Sequence, residues 1–195
     1  MNRRRMMFPV SGGGYQKLEY INGVDGAYID LDYIPKDNTK LVCKAKFNVT
    51  GNVFSTWGAI TNVGGASQYQ RFHWGYQNGN LIIPWATSGQ SIQNVNDLNY
   101  HTFTISKNFI QIDGNSRSAN LDMPSLSLWI FSRNADFSTS NEYCDSYCKY
   151  VQIFEDDVLV RDYIPVLKDG QYGLFETIQQ KYYFNAAETG YITGG

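Results

Sequence analysis

Carboxylate pairs, imidazoles, thiols and flat aromatic rings are the side chains here that could do chemistry, and their spacing narrows which chemistry that is. Glycoside hydrolysis needs two carboxyl groups held roughly 5–9.5 Å apart across one bond. The chain has five glutamates, Glu19, Glu142, Glu155, Glu176 and Glu188, and none falls in the Glu-x-Asp-x-x-Glu spacing that would set an acid and a nucleophile on one strand face. Glu155-Asp156-Asp157 comes nearest and reads as a hairpin turn, where solvated acids are ordinary. No Gly-x-Ser-x-Gly elbow is present. His73 and His101 are the two imidazoles, neither with a nucleophile beside it in the sequence, and His101, opening "HTFTI", is expected to be a hydrogen-bonded strand residue. The expectation is a protein that is not an enzyme and has no catalytic residues.

Metal chemistry is as thinly supported. Cys43, Cys144 and Cys148 form no Cys-x-x-Cys pair and have no neighbouring histidine, so zinc is not expected. On a strand, Cys144 and Cys148 would lie about 13 Å apart, too far for a disulfide, and buried thiols are the plainer reading. Asp30, Asp32, Asp37 and Asn38 leave Ca²⁺ open as a cofactor, although no calcium-loop pattern is present and acidic turns explain them as well.

The aromatic side chains say more. Fifteen Tyr, eleven Phe and four Trp make up 15% of the 195 residues, while charged residues are only 17%. Sugars are bound by flat rings against their CH faces, with amide, carboxylate or guanidinium groups on their hydroxyls. "QYQRFHWGYQNGN" is dense in such groups. Alternation puts Tyr69, Arg71 and His73 on one face, expected to be wet, and Phe72, Trp74 and Tyr76 on the other, expected to be core. Trp57, beside Gly58, and Trp85, after Pro84, are expected near loops. Tyr69, Arg71, His73 and Trp85 are therefore the candidate glycan-binding residues, set against the plainer alternative that such a chain buries most of its rings.

These residues need strands to position them. "LVCKAKFNV" alternates cleanly, with Leu41, Cys43, Ala45, Phe47 and Val49 on one face and Lys44, Lys46 and Asn48 on the other. A hairpin is expected around Asn78-Gly79, with Pro84 breaking or edging its second strand. Further strands turn at Lys107-Asn108, Asp113-Gly114 and Asp156-Asp157, and "GQYGLFETIQQKYYFN" reads as another hairpin. "SLSLWIFSRNAD" reads as one buried strand running into a polar loop, and the only helical candidate is a turn or two at 140–146. Many short strands with regular turns predict an all-β sandwich or barrel.

Two stretches carry a family resemblance. "YQKLEYINGVDGAYIDLDYIPKDNTKLVCKAKF" opens the domain, and "VQIFEDDVLVRDYIPVLKDGQYGLFETIQQKYYFNAAETGYITGG" closes it. With "LWIFSRNAD" between them, they resemble the concanavalin A-like (laminin G-like) jelly-roll domains of tailed-phage and gut-bacterial surface proteins. The likeness covers most of residues 15–195 and is most specific in Leu159-Val160-Arg161-Asp162-Tyr163-Ile164-Pro165. It implies an antiparallel two-sheet jelly-roll β-sandwich with a short extended N-terminal arm, in which the first and last strands, "LEYI" and "GYIT", pair. In the closing motif, alternation puts Val158, Val160 and Asp162 on one face and Leu159, Arg161 and Tyr163 on the other. Arg161 is expected to cover apolar surface while pairing with a nearby acid, a structural role.

The beginning, "MNRRRMMFPVSGGG", reads as a flexible docking arm, residues 1–14, ahead of the domain at 15–195. Arg3, Arg4 and Arg5 could pair with acids on a partner, and Met6, Met7 and Phe8 gain by burial in one. The arm lacks the apolar run of a secretory signal, and no segment approaches the ~20 apolar residues of a membrane span. A net charge of −2 argues against nucleic acid as a partner. The combined expectation is a non-enzymatic, virion-associated module on the virion surface: a phage head or tail decoration, fibre or adhesin protein. Its expected partners are other virion structural proteins, copies of itself (a trimer being common for such appendages) and host surface glycan. The alternatives are a structural decoration without ligand and a bacterial glycan-binding or hydrolytic domain, the latter needing a secretion signal.

Overall fold

The computed structural model describes residues 14–47, 55–64, 69–77, 80–82, 91–95, 97–136 and 145–195. Its first strands are β1 (Gln16–Lys17), β2 (Ile21–Val24), β3 (Ile29–Asp30), β4 (Thr39–Phe47), β5 (Ser55–Asn62), β6 (Tyr69–Gln77), β7 (Asn80–Ile82), β8 (Ser91–Asn94) and β9 (His101–Ser106). They are followed by β10 (Phe109–Ile112), β11 (Asn115–Ser118), β12 (Trp129–Ile130), β13 (Arg133–Ala135), β14 (Ser146–Glu155), β15 (Val158–Lys168), β16 (Gln171–Glu176), β17 (Lys181–Phe184) and β18 (Tyr191–Gly194). The described residues contain no helix, and so none long and apolar enough to cross a membrane. Of the helical candidate at 140–146, Ser146 begins β14, Asp145 precedes it without regular structure, and 140–144 lie outside the described residues.

Two sheets face each other. The larger runs β11-β10-β9-β4-β14-β15-β16-β17, with β1 on β15, β2 on β14 and β18 on β2. The smaller runs β3-β12-β5-β6-β7-β8, with β13 alongside β5 in the one parallel pairing among the described residues. This is an all-β, largely antiparallel sandwich. The expected closure of "LEYI" on "GYIT" falls mainly on the residues that follow "LEYI": Tyr191 pairs with Val24 and Gly194 with Ile21, Gly195 exchanges backbone bonds with Tyr20, and the first strand, β1, lies on β15 instead.

The core forms because alternation turns one face of each sheet inward. In β4, Leu41, Cys43, Ala45 and Phe47 are buried, and Lys44 and Lys46 are not. Trp57, Ala59, Phe72 and Trp74 answer them from the smaller sheet. The ring centroids of Trp57 lie 6.0 Å from Phe47, 5.8 Å from Trp74 and 5.4 Å from Phe131. Trp57 is thus a core residue rather than a loop residue, and its indole N–H donates to Ser146 Oγ at 3.2 Å. Phe72 and Trp74 are core as expected, while the side chain of Tyr76 lies outside the described residues.

The hairpins expected at Asp113-Gly114 and Asp156-Asp157 are present, with φ of 45° and 88° in the first and 49° and 63° in the second. Both are two-residue loops with the left-handed pair that right-twisted strands favour. β6 and β7 pair as a hairpin, Gln77 opposite Asn80, although Asn78, Gly79 and Pro84 themselves lie outside the described residues.

Two local expectations are corrected. "SLSLWIFSRNAD" is not one strand but two, β12 and β13, because Phe131 takes φ 68° and drops its ring into the core. Gly23 makes the space, since a Cβ there would stand 2.4 Å from that ring. In β15, the ladder with β14 slips at a bulge: Ile153 pairs with Arg161 and Phe154 with Leu159. Val160 is left between and packs on the core, breaking the expected alternation.

Candidate functional site

The outward face of the smaller sheet is the candidate site, and strand register assembles it. In β5 and β6, Trp57 pairs with Trp74 and Ala59 with Phe72 on the core side. Gly58 opposite His73, Ile60 opposite Arg71 and Asn62 opposite Tyr69 therefore point outward. Gly58 is also the register partner of Trp129 in β12 and of Arg133 in β13, and Trp129 pairs with Asp30 in β3. Asp30, Trp129, Gly58 and His73 thus form one row across four strands.

Gly58 is required at its position. Its φ is 125°, and a Cβ would stand 2.2 Å from the Phe72 carbonyl oxygen and 2.7 Å from His73 Cβ. Tyr28 precedes β3 and stacks on Trp129, with ring centroids 3.8 Å apart and planes 11° from parallel. Asp30 accepts a hydrogen bond from Ser127 Oγ at 2.9 Å, and Asn134 Nδ2 donates to the Ser127 carbonyl at 2.9 Å. The Arg71 guanidinium carbon lies 4.7 Å from the Tyr69 ring centroid, a cation–π contact.

The expected site residues separate accordingly. Tyr69 and Arg71 are half-buried on the outward face as read. His73 is not wet: it is 2% exposed. Burial, with repulsion from Arg133 and Arg71, holds the imidazole well below its usual pKa against a hydrogen bond to the Ala59 backbone, so it is neutral at pH 7. Burial also lowers Arg71, partly opposed by Tyr69 and reinforced by Arg133. Burial, then Asp30 and Glu188, raises Tyr28. Trp85 and the arm residues Arg3, Arg4, Arg5, Met6, Met7 and Phe8 lie outside the described residues.

Sequence reasoning missed Tyr28, Trp129 and Arg133. A signal for Trp129 existed: strand alternation puts it on the face opposite its aliphatic neighbours Leu128 and Ile130, both of which the structure buries. The acids flagged for calcium are engaged otherwise. Asp32 pairs with Lys181 at 2.7 Å, Asp37 with Lys107 at 2.5 Å, and Asp30 with Ser127. Among the described residues, no group of three or more His, Cys, Asp or Glu is placed to hold a metal ion. Cys43 and Cys148 are buried free thiols, both pushed up by burial, and Cys144 lies outside the described residues.

Arg161 has no carboxylate partner among the described residues. It donates to the Val160 carbonyl at 2.8 Å and lies 5.8 Å from the Tyr33 ring centroid. The polar work of the closing motif falls to Asp162, which accepts from Gln152 Nε2 at 3.1 Å and Thr177 Oγ1 at 3.1 Å.

On the opposite outer face, Tyr15 lies against Phe175 with centroids 4.8 Å apart, and Phe175, Tyr182 and Phe184 continue as an aromatic strip. Lys168 Nζ sits 4.9 Å from the Tyr182 centroid. No family model matches the chain, and no curated protein matches it in sequence.

Proposed function

We propose that the chain is a non-enzymatic binding module, a concanavalin A-like jelly-roll sandwich carried on a virion by its arm, with host surface glycan bound on the outward face of the smaller sheet. One observation carries the glycan reading: that face brings a Tyr28–Trp129 stack and a Tyr69–Arg71 pair onto one surface. Rings offer flat apolar area, and the guanidinium offers directed donors to hydroxyls. The pairing of β2, the second strand, with β18, the last, is in keeping with the jelly-roll reading, in which strands from the two ends of the domain lie side by side. The virion assignment rests on the resemblance of the opening and closing motifs.

The placement of the termini supports docking by the arm. Tyr15, the residue after Gly14, rests on the outer face of the larger sheet. An arm held by a partner on that side leaves the ring-bearing face of the smaller sheet turned outward.

A glycan array probed with the full chain, with and without Ca²⁺, tests the reading. Specific binding that drops at least tenfold in Arg71→Ala is the expected result. An array with no specific binding, from a protein shown to be folded, would transfer the function to attachment alone and leave a structural decoration.

A further inference from the structure

We infer that the sugar this face takes is an acidic one, bound through its carboxylate by Arg71 and Arg133. The inference rests on the glycan reading above and adds the ligand's charge. Register places the two arginines two strands and two residues apart on one face, a Cα separation of roughly 12 Å. Two extended arginine side chains are long enough to reach one group placed between them across such a gap, Arg71 from its contact with Tyr69. Between them in register lie Gly58, with no side chain, and His73, buried and neutral. The histidine therefore supplies no positive charge of its own and no negative charge to quench the pair.

Two buried polar atoms in the same row lack a partner. His73 Nδ1 and Trp129 Nε1 stand on either side of Gly58, and neither makes a hydrogen bond. Buried polar groups are seldom left unpaired, because each costs the desolvation of a hydrogen-bonding group. Trp Nε1 can only donate, so its natural complement is an oxygen acceptor. A sugar acid supplies carboxylate, ring and hydroxyl oxygens within one small ligand, together with a CH face for the adjacent rings.

Arg71 and Arg133 both have other contacts within the protein. A guanidinium carries five N–H donors, so one already held in place keeps donors for a carboxylate, and being held improves its aim. Arginine suits this ligand better than lysine because its planar fork matches a carboxylate in two parallel bonds.

The test compares matched pairs that differ only in charge: an oligogalacturonate with its methyl ester, and 3′-sialyllactose with lactose, each titrated calorimetrically into the full chain. At least one acidic member is expected to bind tenfold or more tightly than its neutral partner. That preference should shrink with added NaCl and fall about tenfold or more in Arg133→Gln and in Arg71→Gln. Arg133→Lys, which keeps the charge but loses the fork, should lose affinity for the acid and leave the neutral member unchanged. Thermal melts and near-ultraviolet circular dichroism check that each variant folds. If Arg133→Gln does not, the matched pairs and Arg133→Lys still decide. Equal binding of acidic and neutral members overturns this inference and leaves the glycan module standing. Absence of binding to these probes and to every array glycan, charged or neutral, overturns both.

Discussion

At the residue scale the two histidines make opposite use of burial. His73 is neutral beside two arginines. His101, 5% exposed, is held between two carboxylates, with Nδ1 2.5 Å from Asp113 and Nε2 2.9 Å from Asp97. Both ring nitrogens face acceptors, so both must carry protons, and the ring is a cation. Burial disfavours that charge, but the two carboxylates outweigh it and His101 titrates above its usual value. Asp97 is held low by Asn99 and His101. Asp113 is lowered despite burial, through the Thr102 backbone and His101. The histidine's contribution to stability is complete below its unfolded pKa, ~6.5, and is lost as pH rises through the higher folded value. The aspartates' contribution is present above ~3.9 and is lost as pH falls through their lower folded values. The clamp is therefore strongest between about pH 4 and 6.5. The difference in melting temperature between the wild type and His101→Gln should be greatest near pH 5.5 and shrink as the pH is raised toward 9. A difference that stays constant across that range would refute the cationic clamp.

At the scale of elements, short polar devices hold the hairpins that hydrophobic alternation begins. The turn between β16 and β17 is built on Glu176, which is fully buried. Its carboxylate accepts from the backbone N–H of Asp162 at 2.8 Å, of Ile178 at 3.1 Å and of Gln179. Three donors on two oxygens leave no room for an N–H₂ group. Glu176→Gln should cost about 1–3 kcal/mol in urea unfolding by turning one acceptor of this buried side chain into a donor that faces a backbone N–H. A cost near zero would mean the turn holds without its carboxylate. This device was not legible beforehand, because Glu176 in the sequence is one acid before a polar turn. The hairpins themselves were legible, since Asp-Gly and Asp-Asp between apolar runs leave few local alternatives. The break at Phe131 was not, because the space for its ring is provided by Gly23, more than a hundred residues earlier.

At the scale of the molecule, the chain is closed by its own ends. β18 covers β2, and β2 lies on β14 of the larger sheet. Removing 191–195 would uncover Ile21, which is fully buried, and delete the contribution of Ile192. Losing one large buried side chain and the ladder bonds of four residue pairs should lower stability by about 3 kcal/mol or more. Denaturant unfolding of the truncated chain tests this, and a change of about 1 kcal/mol or less would show that the closing strand is an ornament to the fold.

By itself the sequence determined the all-β class, most of the strands and turns, the inward faces of β4 and β6, and two members of the candidate site, Tyr69 and Arg71. These follow from a period of two and from turn residues that tolerate positive φ, both properties of a few consecutive residues. Tertiary structure alone decided that His73 is buried, that Val160 turns inward at a bulge, and that Tyr28, Trp129 and Arg133 join Tyr69 and Arg71 on one face. Those outcomes depend on which strands become neighbours and in what register. Gly58 meets Trp129 and Arg133 only because β12 and β13 become neighbours of β5 within one sheet, and an alternating pattern records which way each side chain points but not what stands beside it.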